Sequence, residues 1–319
     1  MIGGGPIGLA AAIAARRKGL RVTVADAIEP PIDKSCGEGV LPDGVAAAVQ
    51  LGLDLTAVPS FSLRGIRFHG EGVTASADFP ARSGLGVRRT TLHRALIEEA
   101  ERCGVRLCWG ARINGIDDID APWIVGADGM ASRVRTWAGL DELRRDTRRY
   151  GFRVHFQRAP WSDHVDIHWG EGCQVYITPV GPEEIGVALL TRDPKLRVAD
   201  ALRRFPALAE KLAGASHSSS ERGALTASRR LRRVTARSGS ATVALIGDAS
   251  GSVDAISGEG LCLGFHQALT LADAIERKDA AHYEMAHQRL SRRPRMMADL
   301  MLTMDRYPRL RRRDRKSVV

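Results

Sequence analysis

Residues Ile7 to Ala15 are apolar or small without interruption, and Arg16, Arg17 and Lys18 close the run before Gly19. This alanine-rich stretch predicts a helix that ends at Gly19, where a left-handed residue stops it. A strand is predicted next, over Arg21 to Ala25. Further on, Leu92, Ala95, Leu96, Ala100 and Cys103 recur at helical spacing, with the hydroxyls Thr90 and Thr91 before them and Gly104 after. The pattern predicts a second helix with a hydroxyl cap. Val105 to Trp109 and Trp123 to Val125 are short apolar strands, and the second delivers the chain into Gly126-Ala127-Asp128-Gly129. Helix and strand alternating in this way predict a parallel sheet.

Between about Tyr150 and Leu190 the pattern changes to a period of two without intervening helices, as in Val165-Asp166-Ile167-His168-Trp169 and Val175-Tyr176-Ile177. This predicts a mostly antiparallel sheet inserted into the α/β part, because strand, glycine loop and long helix resume from Thr242. The expected fold class is therefore α/β, with a discontinuous nucleotide-binding domain over 1–60, 86–140 and 240–292. A substrate domain occupies 61–85 and 141–239, and residues 293–319 form a C-terminal helix and basic tail.

With 319 residues and 44% hydrophobic composition, the chain can bury a sizeable core. It shows no charged leader with a cleavage site and no run long enough for a membrane span. Five cysteines (Cys36, Cys103, Cys108, Cys173, Cys262) have no CxxC spacing and form an odd set, so a reducing, cytoplasmic setting is expected. The excess of 47 Lys+Arg over 37 Asp+Glu gives a net charge of +10. Much of it sits in scattered pairs such as Arg148-Arg149 and Arg229-Arg230, read as a solvated surface. Aromatics make up only 5% of the chain, which argues against a nucleic-acid platform.

Gly3-x-Gly5-x-x-Gly8 before the first helix fits the dinucleotide fingerprint of a Rossmann-type fold. One glycine makes the tight turn, one lets the backbone approach a pyrophosphate, and one allows close helix packing. Asp26, at the end of the next strand, is where a carboxylate accepts from adenosine ribose hydroxyls; its plainer role is to start a turn. The fingerprint normally follows a strand, of which Met1 and Ile2 alone are present, and Asp314 to Val319 (DRKSVV) reads as adapter-encoded. The chain is thus expected to be a fragment cut at both ends, and one that folds poorly without its first strand.

Two further elements, GADGMASRVR (Gly126 to Arg135) and GDASGSVDAISGEGL (Gly247 to Leu261), follow in order, together with Asp33-Lys34-x-Cys36-Gly37-x-Gly39 and Arg88-Arg89-Thr90-x-Leu92. In these the chain resembles the FAD-dependent monooxygenase superfamily of the aromatic-hydroxylase type, which also contains geranylgeranyl-reductase-like enzymes. The resemblance implies that Asp248 bonds the ribityl chain of FAD while Gly247 lets that strand end approach the pyrophosphate. It implies that Gly258, Gly260 and Leu261 open a helix toward the flavin pyrimidine edge. Arg89 would reach the phosphates, unless it is an ordinary surface charge. Asp128 would organise the loop that touches FAD, and Glu259 would cap or pair locally. NADH or NADPH would serve as co-substrate without a nucleotide domain of its own.

The resemblance implies a monooxygenase acting with dioxygen on an aromatic, polyketide or lipid-like small molecule; a flavin ene-reductase is the alternative, and a truncated, inactive flavin-binding protein a further one. The hydroxylase branch continues its third motif with a histidine and a proline, where this chain has Gly251 and Asp254-Ala255. Cys36-Gly37-Glu38-Gly39 resembles the reductase branch, and Cys36 is the candidate proton donor to an alkene carbon or else a packed thiol. His164, Asp166 and His168 share one strand face. That face is read as the solvent side, ahead of a metal site or a cavity lining. The stripe Met297, Leu300, Met301 and Met304, in the segment from Met296 to Leu310, is read as core packing, with peripheral membrane contact as its second meaning.

Overall fold

The computed structural model describes residues 1–70, 72–117 and 119–307, with the side chains of 144–146 excepted. The tail from 308 onward, including DRKSVV, lies outside the described residues. In chain order the elements are α1 (Pro6–Arg17), β1 (Thr23–Ala25), β2 (Gly39–Val40), α2 (Pro42–Gln50), β3 (Phe61–Leu63), β4 (Gly65–Gly70), β5 (Val73–Asp78) and β6 (Gly84–Gly86). There follow α3 (Arg89–Arg102), β7 (Arg106–Cys108), β8 (Trp123–Gly126), α4 (Arg133–Trp137), β9 (Leu143–Gln157), β10 (His164–Gly170), β11 (Cys173–Gly181) and β12 (Glu184–Thr191). The chain ends with α5 (Val198–Leu202), α6 (Pro206–Leu212), β13 (Ser216–His217), β14 (Arg222–Leu231), β15 (Thr235–Ser238), β16 (Ala241–Leu245), α7 (Gly260–Arg277) and α8 (Ala280–Arg306).

The architecture is α/β. β1 pairs in parallel with β7, and β8 in parallel with β16. Ile2 stands between the two pairs, bridging Ala25 on one side and Gly126 on the other. Its amide donates to Val125 O at 2.8 Å and its carbonyl accepts from Ala127 at 2.7 Å. Helix α1 is buried along nearly its whole circumference from Leu9 to Ala15, which its alanines permit because they leave room for α3 and α7 to approach. These elements share one core with Leu96, Val243, Leu245, Phe265 and Leu271.

The second sheet runs β13-β9-β12-β11-β10-β4-β5, with β14 also on β9, and it is antiparallel except between β10 and β4. Alternation along its strands creates two faces. Phe152, Val154, Val175, Ile177, Val187 and Leu189 face α5 and α6. Ile167, Tyr176 and Leu190 face the other way, toward Ile256 and toward Ala298 and Met301 of α8.

Several sequence expectations need correction. Helix α3 starts at Arg89 with Arg88 as its cap and no capping side chain, so Thr90 and Thr91 lie inside the first turn. The C-terminal helix begins at Ala280 and runs unbroken through 293, with Pro294 inside it. The face carrying His164, Asp166 and His168 is not a solvent face: His164 and Asp166 are buried, and side chains of the adjoining β4–β5 hairpin pair with them. His164 Nε2 meets Asp78 and Nδ1 meets Asp163, while Asp166 meets His69 at 2.8 Å. No cluster able to hold a metal occurs among the described residues. Arg149, read as a solvated charge, is buried in an ion pair with Asp254. No helix among the described residues is long and apolar enough to cross a membrane.

Candidate functional site

The three glycine motifs converge at the end of the parallel sheet. Gly3 has φ +109°, and a Cβ there would lie 2.4 Å from Ala127 O, so the first motif presses on the second. A Cβ at Gly8 would lie 2.0 Å from Gly3 O. Gly5 differs, because nothing lies within 4 Å of a Cβ built on it. It caps α1 without any side chain, leaving the open end of a buried helix free for an anion. Ile7 reaches the third motif, 3.3 Å from a Cβ built at Gly247 (φ +61°). Buried Arg135 ties the second motif to the third, donating to Met130 O, Ala249 O and Asp141.

Asp26 Oδ2 accepts from Gly4 N at 2.7 Å in the first motif, and Oδ1 accepts from Ile28 N at 2.8 Å in a local turn. His93, which the sequence did not single out, sits beneath with Nε2 2.7 Å from Gly4 O. Burial lowers its pKa. Asp128 organises its loop, accepting from Ser132 Oγ, Arg133 N and Val134 N. Asp248 meets Lys34 Nζ at 3.2 Å, with both side chains partly exposed. Gly247 N donates to Gln267.

Gly258 (φ +67°) and Gly260 have nothing within 4 Å of a built Cβ, and α7 begins there with no side-chain cap. Leu261 packs on the α1 core. Glu259 does not cap; its Oε2 is buried without a partner, and burial raises its pKa. Arg89 Nε is likewise buried with no partner. The open cradle at Gly5, the open end of α7 and this unpaired guanidinium nitrogen fit a dinucleotide carrying phosphates.

The segment from Asp33 to Gly39 joins this cradle to the second sheet. Arg153, buried on β9, donates to both oxygens of Asp33 at 2.8 and 2.9 Å and to Glu38 Oε1 at 2.9 Å. Glu38 is buried as well, and its Oε2 lies 2.5 Å from His155 Nε2. Thr178 Oγ1 donates to Gly37 O. Thr178 and Tyr176 alternate onto the same face of β11, so Gly37 is tied to the sheet face that carries the buried apolar cluster of Tyr176, Ile167 and Ile256. The sequence pointed to Cys36 but not to Glu38, Arg153 or His155 as a group. Their only advance signal was the unusual acidic residue between two glycines in Cys36-Gly37-Glu38-Gly39.

A cleft of about 640 Å³ is lined by His69, His168, Arg204 and Phe205. It opens on the sheet face turned away from Ile256, with His168 stacked on His69. His168 thus lines a cleft, but one that stands apart from the glycine motifs.

No family model matches the chain. It is 28% identical over 313 residues to a menaquinone reductase of Mycobacterium tuberculosis, covering 88% of this chain and 77% of that protein. A digeranylgeranylglycerophospholipid reductase of Methanothrix thermoacetophila is 31% identical over 166 residues, 44% of this chain and 41% of that one. Among solved structures, the p-nitrophenol 4-monooxygenase of Pseudomonas putida superposes with a TM-score of 0.79 at 20% identity, covering 98% of this chain and 90% of that one. Motifs, fold and relatives together match the chain to the superfamily of FAD-dependent monooxygenases and oxidoreductases.

Proposed function

We propose that the chain binds FAD and, with NADH or NADPH as reductant, reduces an apolar quinone- or polyprenyl-like small molecule. In this reading Gly3, Gly5 and Gly8 receive the pyrophosphate at α1, Asp26 the adenosine ribose and Arg89 a phosphate. Asp128 shapes the adjoining loop. Gly247 and Asp248 hold the ribityl chain, and Gly258, Gly260 and Leu261 present the α7 amides to the flavin ring. Bound FAD would accept hydride from the nicotinamide and pass it on to an alkene carbon. Cys36 would give its thiol proton to the neighbouring carbon, completing the addition of two hydrogens, and then be reprotonated by solvent.

The observation that carries this reading is the Cys36 turn, tied through Gly37 to Thr178 on the second sheet, where Ile167, Tyr176 and Ile256 form a buried apolar cluster. It suits a lipid-like substrate, and a thiol donor suits reduction. The two relatives named as reductases agree with it. Met296, Met297 and Leu300 stand exposed on the same helix, and we extend the proposal to a contact with a membrane surface from which such a substrate is drawn. Oxygen transfer is the second reading, favoured by the fold shared with p-nitrophenol 4-monooxygenase. An inactive flavin-binding chain is the third.

The test is anaerobic incubation of the yellow holoprotein with NADPH and a polyprenyl quinone in anionic vesicles, followed by mass spectrometry. A product two hydrogens heavier, with the protein in the vesicle pellet, is expected. A product heavier by oxygen, formed only in air, would replace the reductase with the monooxygenase. Flavin without turnover would leave the inactive reading, and a colourless folded protein would remove FAD. Protein absent from the pellet would remove the membrane contact alone.

A further inference from the structure

Glu38 has a left-handed backbone, φ 59°, which a residue with a side chain adopts only when its surroundings hold it there. Its carboxylate is nine-tenths buried or more, yet both of its oxygens have partners. Oε1 accepts from the first amide of α3, Arg89 N, at 2.9 Å and from Arg153 Nη1 at 2.9 Å. Oε2 meets His155 Nε2. The sheet makes room for it, since a Cβ at Gly186 would sit 3.1 Å from Glu38 Oε2. Its backbone is tied too: the amide donates to Cys36 Sγ at 3.4 Å, and the carbonyl accepts from Val87 N at 2.9 Å. One side chain thus connects the start of the helix bearing Arg89, the substrate sheet at β9, and the turn bearing the thiol.

We infer that Glu38 is a positioning residue: its carboxylate, anchored on Arg89 N, Arg153 and His155, fixes the Cys36 thiol against the substrate face of the sheet. This deepens the proposed function, resting on the assignment of Cys36 as proton donor. The physical content is that the turn is held by the carboxylate and not by its backbone geometry alone. Glu38→Gly separates the two, because glycine adopts the left-handed turn freely but loses every side-chain anchor. Glu38→Gln keeps the shape and loses the charge that Arg153 and His155 meet.

The experiment measures N-ethylmaleimide alkylation of each cysteine by peptide mass spectrometry in the full chain, with and without FAD, for wild type and both variants. Cys36 is expected to react roughly tenfold faster in Glu38→Gly, and by a smaller factor in Glu38→Gln, as the freed turn samples open states. Cys103, Cys108 and Cys262 should be unchanged. An unchanged Cys36 rate, or equal acceleration of all cysteines, would overturn the inference, the second showing general loosening. This readout needs no turnover, so it stands apart from the test of the reductase. Where turnover is present, Glu38→Gln should lower kcat roughly tenfold with KM for substrate and FAD content retained. A rise in KM at constant kcat would count against it.

Discussion

His287 lies buried on α8 with Nε2 2.8 Å from Ser250 Oγ, and the only proton of that hydroxyl goes to Gly247 O. The imidazole must therefore donate through Nε2. Burial lowers its pKa to about 3. A folded-state value below that of the unfolded chain means the unfolded chain takes up the proton first as pH falls below about 6.5. Stability from this residue is complete above that pH and declines on acidification until about pH 3. His287→Gln keeps a donor for Ser250 and removes the titration. Between pH 7 and pH 5 the variant should lose about 2 kcal/mol less stability than wild type, measured by urea denaturation at each pH. Equal losses would show that His287 is protonated in the folded protein. His168 shifts the same way, to about 4, through burial and the neighbouring His69, and is common to both proteins in that comparison.

Glycines let α1 pack closely against the loop before it and against α7, and the two contacts differ in kind. At Gly8 the obstacle to a side chain is backbone, Gly3 O at 2.0 Å; at Gly264 it is the end of a flexible side chain, Ile7 Cδ1 at 2.3 Å. Gly8→Ala should cost about 2 kcal/mol net of the gain in helix propensity, and should abolish flavin colour by displacing the loop. Gly264→Ala should fall within about 1 kcal/mol of wild type, since Ile7 can change rotamer. Equal effects in urea melts and visible spectra would contradict this division. The first motif was legible in the sequence because its spacing is local and its glycines have a geometric reason. The cap of α3 was not, since Thr90 and Thr91 look like a start signal while the loop actually enters the helix through Arg88, whose guanidinium meets Glu184. The polar face of β10 misled in the same way. Alternation assigned His164, Asp166 and His168 to one face correctly, but could not reveal that His69 and Asp78 of the neighbouring β4–β5 hairpin would pair with residues on it.

Across the whole molecule, the glycine cradle and the substrate sheet are joined by buried ion pairs between residues more than a hundred positions apart. Arg153 with Glu38 and Arg149 with Asp254 are two such pairs, each buried on both sides. No periodicity encodes such a pair, and a basic composition makes each arginine look like surface, so the joint between the two parts was the least legible feature. Asp254 shows what the joint does. Its Oδ1 accepts from both Arg149 Nη1 and Ile256 N, at 3.0 Å each, and so fixes the turn that leads to Gly258 and α7. Gln174 links Arg149 onward to Asp305 of α8. Removing one partner leaves a buried charge alone, which typically costs more than the intact pair contributes. Arg149→Met should therefore destabilise by about 3 to 5 kcal/mol. Adding Asp254→Asn removes the stranded charge while keeping an acceptor for Ile256 N, and should recover part of that loss. If the double variant is no more stable than Arg149→Met in urea denaturation, the pair is not held by charge, and the turn before α7 must owe its shape to packing of Ile256 against Tyr176 and Met301.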